Sequence, residues 1–210
     1  MKKPIILIGG GGHCKSCIDV IEQEGKYSII GILDLPGMVG AKILGYEILG
    51  TDDDLPVFLK TVSHCLITIG QIKSSEKRIG LWKMVKNSGA KMPDIISLHA
   101  YVAKSATIGE GSIIMHQAII NAEAQIGINC IINSKALIEH EALIGDFCHI
   151  STGAIINGRA IVGDRCFVGS NSTISNNVCL IEETIVAAGS NVSKDTITPG
   201  TYFGNTLRNV

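Results

Sequence analysis

A small parallel α/β unit followed by a triangular β-solenoid is the fold predicted by this chain of 210 residues. Three observations predict it. Residues 101–196 repeat every six positions with no insertion or loss. A second period lies above the first, because Gly109, Gly127, Gly145 and Gly163 recur at eighteen, as do Cys130, Cys148 and Cys166. Before the repeats, apolar runs alternate with amphipathic segments, opening with a short run and four glycines at residues 9–12.

The first hundred residues read in order as strand and helix. Residues 4–8 form a buried strand, and a helix follows the glycines over about 13–24. Residues 28–33 form a second strand ending at Asp34, and residues 46–49 a short third. Asp52, Asp53 and Asp54 cap a short helix reaching Lys60. Residues 65–69 are the next strand, then comes Gly70-Gln71 and a helix over 74–87 with Trp82 and Met84 turned inward. Ile95 and Ile96 close the unit. Strand, glycine loop, helix and strand in that order imply a small parallel sheet with helices on both faces.

From residue 101 the blocks read YVAKSA, TIGEGS, IIMHQA and so on to NVSKDT. The second position is a branched aliphatic in all sixteen blocks, from Val102 to Val192, and the sixth is Ala, Ser, Cys or Thr except at Val178. A period of six matches neither a helix nor a simple alternating strand. It matches a solenoid in which each six supplies a short parallel strand and a turn. The eighteen-residue period makes three sixes one triangular coil, and coils stack at about 4.8 Å.

Composition narrows the function. Eighteen basic and 19 acidic residues leave a net charge of −1, so there is no basic footprint for nucleic acid or an anionic membrane. No run of 18 apolar residues offers a membrane span, and the short run after MKKP is too brief for a secretion signal. Seven cysteines without such a signal point to a reduced, cytoplasmic setting. Cys14 and Cys17 have redox or metal spacing, but no second CxxC or thioredoxin-like sequence accompanies them.

The glycine loop is where such a fold holds a phosphate on backbone N–H groups at a helix start. Gly11 and Gly12 are its candidate contacts, and Asp34 at the second strand tip is placed to read a ribose. The strict dinucleotide fingerprint would need Gly where Cys14 stands, and the unit lacks a second half. A mononucleotide, or a nucleotide carrying a sugar, fits better.

The repeats resemble the hexapeptide-repeat acyltransferases, which implies a left-handed parallel β-helix, assembly as a homotrimer, and acyl-coenzyme A in the cleft between neighbouring prisms. The N-terminal unit, with Gly12, His13 and Lys15 in its first loop and Gly70 and Arg78 after its fourth strand, resembles one subgroup. This comprises the sialic-acid O-acetyltransferase-like enzymes and the UDP-4-amino-sugar N-acetyltransferases of bacillosamine-type sugars. The resemblance implies a Rossmann-like nucleotide-sugar-binding domain over residues 1–98 and a β-helix acyltransferase domain over 99–210. It implies acetyl-CoA as cosubstrate, no metal, and a nucleotide sugar of bacterial glycan biosynthesis held by Gly11, Gly12, His13, Lys15, Asp34, Gly70 and Arg78.

Acetyl transfer needs a base for the attacking amine or hydroxyl, and imidazole held by a carboxylate suits it. Six histidines are present. His64 and His99 lack an acidic neighbour in sequence, and His116 and His140 fall at exposed corners. Asn133, His140, Glu141 and His149 match the subgroup's active-site spacing, which implies His140 as base and Glu141 as its orienting partner. Asn133 and His149 would then contact substrate or the thioester oxygen, and the columns containing Gly158, Ser170 and Ala188 would receive the pantetheine arm. The tail, residues 199–208, resembles the family's closing Gly-x-Pro-Ala-(Lys/Arg) segment without its Pro. His140 and His149 lie half a coil apart, so the two should meet only across an interface between subunits.

Two other classes stay open. A γ-carbonic anhydrase on the same β-helix needs three histidines converging on zinc, and His116, His140 and His149 lack that spacing. A non-catalytic nucleotide-sugar module would leave the His140-Glu141 pair without a use. N- and O-acetylation are not separated by any residue, since one base serves both.

Overall fold

The computed structural model describes residues 2–204. Its N-terminal unit runs β1 (Lys3–Ile8), α1 (Gly12–Glu24), β2 (Tyr27–Leu33), β3 (Lys42–Ile43), β4 (Tyr46–Gly50), α2 (Leu55–Phe58), β5 (His64–Ile67) and α3 (Glu76–Asn87). The sheet order is β3-β4-β2-β1-β5, parallel except for the β3–β4 pair. The central strand β1 reads as an uninterrupted apolar run because both its faces are covered. Ile5 and Leu7 meet Cys17, Ile18 and Ile21 of α1, while Ile6 and Ile8 meet Leu55, Leu81 and Val85 on the other side.

Three local features differ from the sequence reading. Thr51, not an aspartate, caps the turn over Asp52–Asp54, through a capping box with Asp54. The β3–β4 hairpin was not expected. It turns on Leu44 and Gly45, both at positive φ (47° and 91°), as a two-residue hairpin turn matching the strand twist requires. Cys14 and Cys17 face the core with no exposed surface, and burial pushes the Cys14 thiol up to about 11 and Cys17 higher still. They pack α1.

From Ile95 onward, two-residue strands stack into three parallel sheets, one per prism face. The second-position aliphatics and sixth-position small residues fill the prism core, with Ile132, Ile138, Ile150 and Ala136 wholly buried. At the turns the fifth position of fourteen consecutive blocks, from Gly111 to Gly189, has positive φ. The sixth-position N–H commonly closes the turn on the third-position carbonyl, as Ala136 does on Asn133 at 3.1 Å. That is a type II turn, which demands positive φ at its third residue. Glu, Lys, Arg and Phe occupy the position at about 1–2 kcal/mol each. An inter-coil bond offsets the strain, such as Glu141 N–H to the Ala122 carbonyl at 2.9 Å.

One corner carries the glycine column. A β-carbon on Gly127 would lie 2.6 Å from the Gly145 carbonyl of the next coil, so the coils approach more closely there than any side chain permits. The face bearing Ile113 and Ile131 is covered by α1, which shares a core with it through Met115 and Ile18. His116 is therefore not at an open corner as expected. Its ring is held between Asp19 of α1 (2.7 Å) and Ser97 (2.6 Å).

Candidate active site

The N-terminal end of α1 has no side-chain cap. Its first amides point into a cleft between the α/β unit and the prism, with the positive end of the helix dipole. The cleft measures about 610 Å³ and is lined by Gly12, His13 and Gly70 from one side and by Asn133, Ser134, His149 and Thr152 from the other. Beyond the adjoining residues and the helix's own backbone, nothing lies within 4 Å of where a β-carbon on Gly11 or Gly12 would sit, leaving that space to a ligand. Asp34 holds this loop in place. One carboxylate oxygen accepts the Gly10 N–H at 2.7 Å and the other the Leu35 N–H at 2.8 Å. Lys15 is exposed on the first turn of α1.

His149 forms the back wall. As a first-position residue it points outward from the prism, and Gln71 covers it to 8% exposure. Its Nδ1 lies 2.6 Å from the Gln71 carbonyl, which only accepts, so Nδ1 carries the proton. Nε2 then presents a lone pair, 3.3 Å from Asn133 Nδ2, whose own carbonyl accepts the Ser134 N–H at 2.8 Å. Burial drives the imidazole down to about 4, with nearby Arg78 acting the same way and the Gln71 carbonyl opposing. His13 is driven down to about 3 by burial, then by Arg78 and His149, and its Nε2 is buried without a partner. Both rings are neutral near pH 7.

Arg78 does not line the cleft. It is 1% exposed and donates to the carbonyls of Ile67, Ile69 and Asn129 and to the Asn129 side chain, bolting α3 and the end of β5 to a prism turn. Burial lowers it to about 10, far above neutrality, so it keeps a positive charge behind His13 and His149.

His140 lies on the corner opposite the face that carries His149. Its side chain is 55% exposed, and Nδ1 faces Glu141 Oε2 at 3.1 Å. A carboxylate only accepts, so Nδ1 is protonated, and Nε2 is the ring nitrogen turned toward Gly158 of the next coil. Gly158, one coil on, makes room for the ring: a β-carbon there would lie 2.7 Å from both Cε1 and Nε2 of His140. The Asn176 amide, a further coil along, approaches the same point to 3.2 Å. Within one chain, then, the His140–Glu141 pair on one corner and the cleft on the far side do not meet.

Residues 4–79 match the PglD N-terminal domain, and residues 141–176 match the bacterial transferase hexapeptide in six repeats. PerB from Caulobacter crescentus, solved with CoA and GDP-perosamine, is 29% identical at a TM-score of 0.89, over 96% of this chain and 94% of its own. A variant of perosamine N-acetyltransferase from Caulobacter crescentus, also solved with CoA and GDP-perosamine, is 28% identical at 0.90, over 96% and 93%. This chain is a hexapeptide-repeat acetyltransferase with a PglD-type N-terminal domain. The acetyltransferase domain of PglB from Neisseria gonorrhoeae FA1090, solved with acetyl coenzyme A, shares the fold at 24% identity and a TM-score of 0.87, over the whole of both chains. No protein with a curated description matches the sequence.

The prism of this acetyltransferase is accordingly the left-handed parallel β-helix. Among the described residues, no three His, Cys, Asp or Glu side chains are grouped to hold a metal ion, and no helix is long and apolar enough to cross a membrane. Gly158 sits on the His140 corner. Ser170 and Ala188 sit on the next corner, in one column with Ser134 and Thr152, and Ser170 Oγ is 2.9 Å from Ser151 Oγ. Of the closing segment, Asn205, Thr206, Leu207 and Arg208 lie outside the described residues. Sequence reasoning missed Ser134, Thr152 and Gln71. The first two were reachable by stepping back eighteen residues at a time from Ser170. Gln71 carried no sequence signal for its grip on His149.

Proposed function

We propose that this chain transfers the acetyl group of acetyl-CoA to the amine of a nucleotide-linked amino sugar, as a homotrimer with its active sites between subunits. One observation carries the proposal. The His140–Glu141 pair presents Nε2 at an open corner, while the cleft that joins a glycine-loop helix start to a neutral imidazole faces the other way. The reacting groups come together when the corner of one subunit meets the cleft of another. Apolar side chains on the two faces flanking that corner support this, with Ile119 40%, Leu143 37% and Ile161 42% exposed in the isolated chain. A closed threefold ring covers them with identical contacts. PerB, solved with CoA and GDP-perosamine, supports the substrate class.

The chemistry follows from the tautomers. The diphosphate is held by the first amides of α1, with Gly12 and His13 beside it, and the sugar extends toward His149 and Asn133. His149 Nε2 accepts from the attacking amine or a neighbouring hydroxyl in place of Asn133 Nδ2. The amine nitrogen bonds to the thioester carbonyl carbon as His140 Nε2 takes its proton. Glu141 stabilises the imidazolium through Nδ1. The carbon–sulfur bond then breaks, and the imidazolium returns the proton to the departing thiolate.

The test is complementation. His140→Ala and His149→Ala chains are each expected to lose about 10²–10⁴-fold in thiol release with acetyl-CoA and UDP-, GDP- or CMP-linked amino sugars. Co-refolded mixtures recover activity, because some interfaces then carry both histidines. Mixtures as inactive as either parent would refute the shared site. Turnover with hydroxyl sugars and none with amino sugars would make the enzyme an O-acetyltransferase.

A further inference from the structure

We propose that Arg159 is a positioning residue for this reaction: it fixes the Glu141 carboxylate against His140 and offsets the acidic surroundings of the imidazole. The inference rests on His140 being the base. It starts from register. Glu123, Glu141, Arg159 and Asn177 follow one another at eighteen residues and share the positive-φ turn position, with φ of 62°, 59°, 58° and 60°. Their side chains leave the prism at one height per coil and in one direction. The Arg159 N–H donates to the His140 carbonyl at 3.0 Å, so its backbone is fixed to the residue it serves.

The side chains then meet on one atom. Arg159 Nε donates to Glu141 Oε2 at 3.0 Å, and the same oxygen accepts His140 Nδ1–H at 3.1 Å. Two donors on one oxygen leave the carboxylate a single orientation, which an imidazole alone would not impose. This carboxyl is held below its usual range, by Arg159 first and then by His140.

Charge gives the second half. Glu141 lies before the ring. Glu139 lies beside it, accepting the His140 N–H at 3.3 Å and the Asn121 amide at 3.0 Å. Glu123 stands one coil back in the Glu141 column, and the next coil contributes Asn157, Gly158 and Arg159. Glu139 and Glu141 thus flank His140 in sequence, and Arg159 is the cation bonded to Glu141. Carboxylates favour the imidazolium, which has no lone pair with which to act as base. Arg159 opposes that bias.

Because Arg159 is 63% exposed, the pair adds little to stability and its removal leaves the fold standing. The experiment compares Arg159→Gln and Arg159→Lys with wild type, each also in a Glu141→Gln background. The readouts are kcat/KM against pH and the titration of the His140 ring followed by NMR. In Arg159→Gln the acidic limb and the ring titration both move to higher pH by roughly 0.5 to 1 unit. Arg159→Lys restores most of that shift through its charge but keeps a lower kcat, because the Nε contact is lost. With Glu141→Gln in place, replacing Arg159 moves the titration far less. A ring titration unmoved in Arg159→Gln overturns the proposal. A ring titration that moves while the kinetic limb stays put upholds Arg159's grip on His140 and overturns His140 as the base.

Discussion

Gly158→Ala tests the proposed placement of the base with a single carbon. The new Cβ would stand 2.7 Å from His140 Cε1 and Nε2, short of the 3.4 Å where ordinary contact begins, so the ring must retreat by about 0.7 Å or rotate away. Gly158 does not have positive φ, so alanine brings no backbone strain. The His140 ring is more than half exposed and moves at little cost to the fold. Stability should therefore stay within about 0.5 kcal/mol of wild type, as for ordinary surface changes. Activity should not, because a misplacement near 1 Å costs about 10²-fold. The expected result is a kcat lower by about 10- to 100-fold with an unchanged melting temperature, read from steady-state thiol release and a thermal scan. A kcat within threefold of wild type would show that the ring position observed here is not the one used in turnover. A raised KM for acetyl-CoA with kcat preserved would make Gly158 a cosubstrate contact only.

Four further outcomes follow from buried groups and from the space beside two glycines. His13 and His149 are neutral when folded, at about 3 and 4, and take up protons near 6.5 when unfolded, so stability is full above pH 6.5 and is lost as pH falls toward 4. Between pH 6.5 and 5 the two together should cost about 2–4 kcal/mol, checked by urea denaturation at each pH, with His149→Asn flattening the slope. Arg78→Ala strands the carbonyls of Ile67, Ile69 and Asn129 in a dry interior and should destabilise by roughly 3–5 kcal/mol, with Arg78→Lys recovering only part. Gly127→Ala presses a β-carbon against the backbone of the next coil and should cost about 1–3 kcal/mol or more, whereas Gly11→Ala, with open space beside it, should leave stability unchanged and raise KM for the nucleotide sugar.

The prism was legible because its two periods are set by packing. An aliphatic at the second position and a small residue at the sixth are the only choices that fill a core this narrow, so they recur without exception but Val178. The turn geometry was not legible. Its positive-φ position holds Gly111, Gly153 and Gly189, but also Phe147, Arg159 and Glu183, because inter-coil hydrogen bonding enforces the conformation whatever the residue. The β3–β4 hairpin stayed hidden for a related reason, since Leu44 occupies a place where asparagine or aspartate would have announced the turn. Arg78 was assigned to the substrate on resemblance. Its burial depends on α3 packing against a prism turn at Asn129, a contact across 51 residues that no local pattern records.

The same register explains why the proposed chemistry falls where it does. First-position side chains point outward on the faces and second-position ones fill the core, while positions three to five project from the corners, where substitution costs the core nothing. His140, Glu141, Gly158, Arg159 and Asn176 are all corner residues, stacked at eighteen. His149 is the exception, a face residue in a strand, and it pairs with Phe167 of the next coil as an edge-to-face ring at 5.2 Å. It tolerates that place because the Gln71 carbonyl takes its one proton, which a lysine or a charged imidazole could not accept without leaving a buried charge unpaired. An exposed imidazole braced by a carboxylate and a buried one braced by a carbonyl are therefore suited to different work. The first can cycle a proton with solvent-facing reactants, and the second, held neutral, can only accept and orient.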